Sequence, residues 1–189
     1  MKYLVMLGDG MADSFSINEG DKVGIVGGNG EGKSTLFKIL TKELSQDSGE
    51  VFIDKNRTIG YLSQHIDLQL DNTIYDEMTL VFKEFLDIEN RLQVLEEKMN
   101  EPYDESNSSY HEKLIKDYTT LQDLYSNKGG YTYKGEISRV LKGLGFLEED
   151  FNKIISTLSG GQKTRVSLCK LLLKNPDIIL LDEPTNHLD

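Results

Sequence analysis

Leu158-Ser159-Gly160-Gly161-Gln162 decides the fold, through what stands on either side of it. Upstream lies Gly27-Gly28-Asn29-Gly30-Glu31-Gly32-Lys33-Ser34, a glycine-rich phosphate loop. Downstream lies Ile178-Ile179-Leu180-Leu181-Asp182-Glu183, an apolar run that ends in two carboxylates. Either flank alone indicates a nucleotide. The glycine-bearing turn between them, in that order along the chain, adds a second phosphate-binding element to a P-loop α/β core.

The first flank carries the clearest chemistry. Residues 22–26 are a short β-branched run feeding into the loop, and a helical pattern with a broad apolar face over residues 34–44 follows it. Strand before and helix after is the context the phosphate-loop pattern requires, and a glycine-rich turn without a ligand does not call for it. Gly27, Asn29, Gly30 and Gly32 let the backbone curl so that successive N–H groups face phosphate oxygens. The helix that follows adds its positive N-terminal end. Lys33 is placed for the β- and γ-phosphates, Ser34 for Mg²⁺ and Thr35 for the α-phosphate, which makes ATP with Mg²⁺ the expected ligand.

At the second flank, residues 178–181 read as a fully buried strand. Asp182 at its end is the expected direct or water-mediated Mg²⁺ contact, and Glu183 can polarise an attacking water as general base. Gln64 follows another strand-like run, residues 58–62, and its neutral amide can reach the metal or the water; an exposed loop glutamine is the bland alternative. Residues 50–53 also have strand composition, separated from 58–62 by the turn-like Asp54-Lys55-Asn56. Ser159, Gly160, Gly161 and Gln162 introduce a helix over residues 162–173 that Pro176 stops. One domain cannot bring that turn to its own phosphate loop without refolding, so it is expected to serve a nucleotide held by a partner.

The middle of the chain changes character. Met78, Val81, Phe85, Ile88, Leu92, Leu95 and Met99 alternate spacings of three and four, a heptad seam that Glu101-Pro102 ends. After the polar turn of residues 103–109, Leu114, Tyr118, Leu121 and Tyr125 form a second seam closed by Gly129-Gly130. Two such helices make an antiparallel hairpin over about residues 78–128. It is either a pair of core helices in a helical subdomain or a projecting arm. A short helix is expected over residues 136–143.

Bulk composition sets the outer limits. Hydrophobic content of 38% and charged content of 28% in 189 residues are those of a soluble globular chain, read as cytoplasmic. No apolar run approaches the roughly 20 residues of a membrane helix. The single cysteine, Cys169, excludes an internal disulfide and falls in an apolar helical pattern, where a small buried hydrophobe is favoured over a reactive thiol. A net charge of −11 argues against generic polyanion binding, since non-specific nucleic-acid affinity comes from lysine and arginine.

With these motifs in this order the chain resembles the ATP-binding cassette superfamily, and within it the F subfamily of soluble, ribosome-associated ATPases with two cassettes and no membrane domain. Glu183-Pro184-Thr185-Asn186-His187-Leu188-Asp189 is similar to that subfamily's stretch after the second carboxylate. Gly129-Gly130-Tyr131-Thr132-Tyr133 with Glu136-Ile137 resembles the segment after the first cassette's arm, and the hairpin sits where the arm is inserted. The resemblance covers residues 14–189. It implies an ATPase acting in translation, ribosome rescue or ribosome protection against antibiotics, with an arm that contacts the ribosome, its rRNA or tRNA. It also implies a second cassette or a homodimer partner, whose nucleotide Ser159 and Gly161 would touch at the γ-phosphate. A transporter's ATPase subunit is one rival reading, which the heptad hairpin and Asn186-His187 disfavour. A non-catalytic module that binds RNA or protein through the hairpin is another.

The two ends depart from that pattern. The family continues past the position of Asp189 with further strands and a switch histidine, a role that His187 does not fill. The expectation is a fragment that binds ATP weakly and hydrolyses it poorly. At the front, Met1-Lys2-Tyr3-Leu4-Val5-Met6-Leu7-Gly8-Asp9-Gly10-Met11-Ala12-Asp13 resembles the N-terminus of archaeal-type cofactor-independent phosphoglycerate mutase, in which Asp9 would be a metal ligand. That enzyme's other ligands and its serine nucleophile have no counterpart here. Residues 1–13 are therefore expected to be a foreign or misassembled segment in place of the cassette's opening strand, with the adenine-stacking aromatic lost.

Overall fold

Among the described residues, two parallel strands carry the α/β part of the chain. β1 (Ile59–Leu62) lies beside β2 (Ile178–Leu181), with Ile59 opposite Ile178 and Leu62 opposite Leu181. The computed structural model describes residue 21 and residues 23–25, 30–62, 68–102 and 108–182. Its helices are α1 (Lys33–Leu40), α2 (Ile74–Thr79), α3 (Lys83–Met99), α4 (Ser108–Asn127), α5 (Tyr133–Gly143) and α6 (Gly160–Leu173). The chain forms two compact units. One takes residues up to 71 together with those from 153 onward, and the other is the intervening 72–152.

In the first unit, strand alternation sorts the side chains onto two faces. Ile59, Tyr61, Ile178 and Leu180 face Phe37 and Leu40 of α1, with Val23 and Ile25 packed beside them. Leu62, Ile179 and Leu181 face Leu168, Leu171 and Leu172 of α6. Gly60 permits the second contact. A Cβ there would stand 2.4 Å from Leu171 Cδ1 and 2.6 Å from Pro176 Cγ.

A polar clamp sets the register at the start of both strands. Asp177 accepts from Arg57 Nη1 at 2.7 Å, from the Thr58 N–H at 3.0 Å and from Thr58 Oγ1 at 3.0 Å. Thr58 Oγ1 in turn accepts from the Asp177 N–H at 3.1 Å. The Asp177 carboxyl is held down at a pKa of about 2, first by the Thr58 backbone N–H and then by Arg57 and the Thr58 hydroxyl.

The second unit is the hairpin and its base. Tyr118 donates to Glu96, Tyr125 to Glu89 and Lys128 to Glu84, so residue numbers rise along α4 as they fall along α3. The helices are therefore antiparallel. At 17 and 20 residues they run roughly 25 and 30 Å. Ile88, Leu121 and Tyr125 are buried between them, flanked by Phe85, Leu92 and Leu95. Gly129, in the left-handed region at φ 87°, closes α4, and the Gly130 N–H returns to the Tyr125 carbonyl at 2.8 Å.

Several elements differ from the sequence reading. The first seam is not one helix: α2 ends at Thr79 and a 3-10 turn, Leu80–Phe82, precedes α3. That tightened turn sets the Phe82 ring against Phe85 and Tyr133, with centroids 6.0 and 5.1 Å away. α1 stops at Leu40 instead of running to residue 44. Lys42 takes the left-handed conformation at φ 63°, and the Glu43 N–H turns back to the Lys38 carbonyl at 2.8 Å. Residues 50–53 are irregular, with Phe52 exposed, and among the described residues no strand pairs with them; strand composition forms a ladder only beside a partner. Residues 23–25 pack on the sheet without joining it as a strand. α5 begins at Tyr133 and α6 at Gly160, both earlier than expected. Cys169 is buried, and burial pushes its thiol up to about 12, as a packed apolar residue requires. Residues 1–13, most of the polar turn at 103–109 and the stretch 183–189 lie outside the described residues.

Candidate nucleotide-binding site

Two glycines shape the turn that leads into α1. Gly30 and Gly32 have φ of 87° and 89°, values that favour glycine, and Gly32 is the N-cap. It offers no side-chain cap, and the first turn has no acidic residue. The Leu36 N–H bonds back to the Gly32 carbonyl at 2.9 Å. Lys33, Ser34 and Thr35 form the first turn of the helix. Among the described residues, a Cβ on Gly30 or Gly32 would meet nothing within 4 Å. A helix start with these features suits a phosphate group.

Asp182 follows β2 and is buried at 7% exposure. Strand alternation places it with Ile178 and Leu180 on the α1 face. Its N–H donates to the Leu62 carbonyl at 3.3 Å, and its Oδ2 accepts from the Tyr61 hydroxyl at 3.3 Å. Tyr61 packs its ring on Phe37 of α1, with centroids 5.7 Å apart. Burial, followed by the Asp182 charge and hydrogen bond, pushes the Tyr61 pKa up to about 12, so the phenol stays a donor at neutral pH.

The available donors fit a nucleotide-borne Mg²⁺. The Ser34 hydroxyl and the Asp182 carboxylate are hard oxygen ligands. Among the described residues no three of His, Cys, Asp and Glu form a metal cage. Mg²⁺ commonly needs only one or two carboxylates, the remaining positions going to phosphates and water.

The second turn is closed by a capping box and is exposed. Ser159 caps α6: its Oγ accepts from the Gln162 N–H at 3.3 Å, and Gln162 Oε1 accepts from the Ser159 N–H at 2.9 Å. Leu158 is buried beneath it, whereas Ser159 and Gly160 are exposed, and a Cβ on Gly160 would meet nothing within 4 Å. α1 and α6 occupy opposite faces of the sheet.

The structure thus groups Gly30, Gly32, Lys33, Ser34 and Thr35 at one helix start. It sets Asp182 on the face that helix covers, and places Ser159, Gly160, Gly161 and Gln162 at the start of the opposite-face helix. Gly27, Asn29, Gln64 and Glu183 lie outside the described residues. Sequence reasoning missed Tyr61. No local signal marks it, since its contact with Asp182 depends on a strand register spanning 121 residues.

The ABC transporter family model matches residues 11–186. The chain belongs to the ABC transporter family. By family it is an ATP-binding, ABC-type ATPase domain. It is 40% identical over 179 residues to the uncharacterized ABC transporter ATP-binding protein YfmM of Bacillus subtilis (strain 168), covering 93% of this chain and 33% of that protein. It is 36% identical over 177 residues to ABC transporter F family member 2 of Arabidopsis thaliana, covering 93% and 25%. It is 32% identical over 176 residues to the energy-dependent translational throttle protein EttA of Mycobacterium tuberculosis (strain ATCC 25618 / H37Rv), covering 93% and 30%. The chain therefore spans a third or less of the length of these relatives. Among solved structures, the ATP-binding cassette MJ0796, in a dimeric post-hydrolysis state bound to ADP and Pi, superposes with a TM-score of 0.55 at 24% identity, covering 100% of this chain and 75% of that one. That likeness establishes the P-loop cassette fold. Among the described residues no helix is long and apolar enough to cross a membrane.

Proposed function

We propose that the chain is the first nucleotide-binding domain of an F-type cassette protein, an ATPase that acts on the ribosome. The observation that carries this reading is the insertion of residues 72–152, with the α3–α4 hairpin, into the sequence of a cassette unit that resumes at 153. Kinship with an F family member and with a translational throttle protein supports it, as does the Glu183-to-Asp189 sequence. Gly27, Asn29, Gly30, Gly32, Lys33, Ser34 and Thr35 bind ATP. Ser34, Asp182 and Gln64 serve Mg²⁺, and Glu183 is the base that polarises water. Ser159 to Gln162 serve the nucleotide of a second cassette or of a second copy. The hairpin is the arm that meets the ribosome.

The test is co-sedimentation with ribosomes in ATP, ADP and a non-hydrolysable ATP analogue. Retention that depends on the triphosphate and is lost on deleting residues 83–127 is the expected result. Triphosphate-independent retention favours a non-catalytic binding module. No retention in any state, together with capture by a membrane partner, favours a transporter subunit. Steady ATP turnover that Glu183→Gln abolishes would show a hydrolytic chain.

A further inference from the structure

We infer that Tyr61 is a positioning residue for the metal carboxylate, orienting Asp182 and linking it to the helix that follows the phosphate loop. The inference rests on the reading of Asp182 as a Mg²⁺ contact. The Tyr61 hydroxyl donates to Asp182 Oδ2, while its ring lies on Phe37, four residues into α1. The terminal torsion of an aspartate is soft, with a broad distribution about the carboxylate plane. Fixing one oxygen by a donor leaves the other presented in a defined direction. The Asp182 N–H bond to the Leu62 carbonyl fixes the main chain at the same point. Hydrogen bonds to ligating carboxylates commonly tune metal affinity in this way. Leu180 lies opposite Tyr61 on the same sheet face and is buried, so the phenol ring is held from α1 and from β2 together.

The test separates positioning from packing. Equilibrium affinity for a fluorescent ATP analogue is measured across a Mg²⁺ titration and in EDTA, for wild type, Tyr61→Phe, Asp182→Asn and the double variant, with thermal melts alongside. Tyr61→Phe keeps the ring on Phe37 and removes only the donor. It is expected to leave EDTA affinity within about twofold and to raise the half-saturating Mg²⁺ about three- to tenfold, less than the roughly 10–100-fold usual for such partners because the bond is long at 3.3 Å. Asp182→Asn is expected to abolish the Mg²⁺ response, and the double variant to match it. An unchanged Mg²⁺ response in Tyr61→Phe overturns the inference while leaving Asp182 in its role. Equal losses with and without Mg²⁺ mark a packing role and also overturn it. A wild-type Mg²⁺ response in Asp182→Asn overturns the reading on which the inference stands.

Discussion

Tyr125 of α4 donates its hydroxyl to Glu89 of α3 at 2.5 Å, across 36 residues of sequence. Tyr133 donates to the same carboxylate at 3.2 and 3.3 Å, and Lys134 lies 3.2 Å away. One carboxylate therefore joins α3, α4 and the start of α5 at the base of the hairpin. Burial works to raise the Glu89 pKa. The hydrogen bonds from Tyr125, Lys134 and Tyr133, with the Lys134 charge, outweigh it and hold the carboxyl below its ordinary value.

Glu89→Ala leaves the Tyr125 and Tyr133 hydroxyls without their acceptor and Lys134 without its counter-charge. The expected loss is about 1–3 kcal/mol, read as a lower urea midpoint followed by helical circular dichroism. Glu89→Gln retains one carbonyl acceptor and should lose less. An unchanged midpoint for the alanine variant would show that the cluster is decorative.

The strand clamp makes a pH-dependent prediction. The folded-state pKa of Asp177, about 2, lies below the roughly 3.9 of an unfolded aspartate. Its stabilisation is therefore complete above pH about 4 and is lost as pH falls through the window from about 4 to about 2. Asp177→Asn removes the titrating group, so the urea midpoint of that variant should change less than wild type between those two pH values. Parallel curves for the two proteins across that window would refute the assignment.

Gly60 supplies a steric test. An alanine Cβ meets the terminal carbon of Leu171, which can move, and the ring of Pro176, which cannot easily do so. Gly60→Ala should cost about 1–3 kcal/mol, the range for overpacking a close contact. Gly160→Ala, where the added Cβ meets open space, should fold with near-wild-type stability. Comparable melting temperatures for Gly60→Ala and wild type would contradict this account of the sheet–α6 contact.

What the sequence disclosed depended on the range of each interaction. The phosphate loop, the strand before Asp182 and the turn before α6 are local patterns: β2 spans the residues its pattern marks, while α1 and α6 start one and two residues earlier than theirs. The Ser159-to-Gln162 capping box was also there to be read, which would have started α6 at the right residue. The end of α1 was not legible, because a lysine occupies the left-handed position where glycine is the usual signal. The break at Leu80–Phe82 was hidden by a heptad pattern that continues across it, since apolar spacing does not reveal which turn is tightened. Tyr61, Glu89 and Asp177 draw their roles from partners 121, 36 and 119 residues away. No local pattern carries such pairings.

Ser159 offers a way to divide fold from function in one residue. Its hydroxyl caps α6, and Ser159→Ala should cost about 1 kcal/mol of stability. Ser159→Asp supplies an equally good cap and adds a negative charge near the helix start, so it should melt within a few degrees of wild type. Under the proposal that this turn meets a partner's nucleotide, the aspartate would stand against a phosphate and repel it. ATP binding by the chain's own phosphate loop should then be unchanged in Ser159→Asp, while dimerisation driven by a non-hydrolysable ATP analogue is lost. Analytical sedimentation reads the second quantity and fluorescence titration the first. A stable Ser159→Asp variant that dimerises with ATP as wild type does would remove Ser159 from the partner's site and leave it only as the cap of α6.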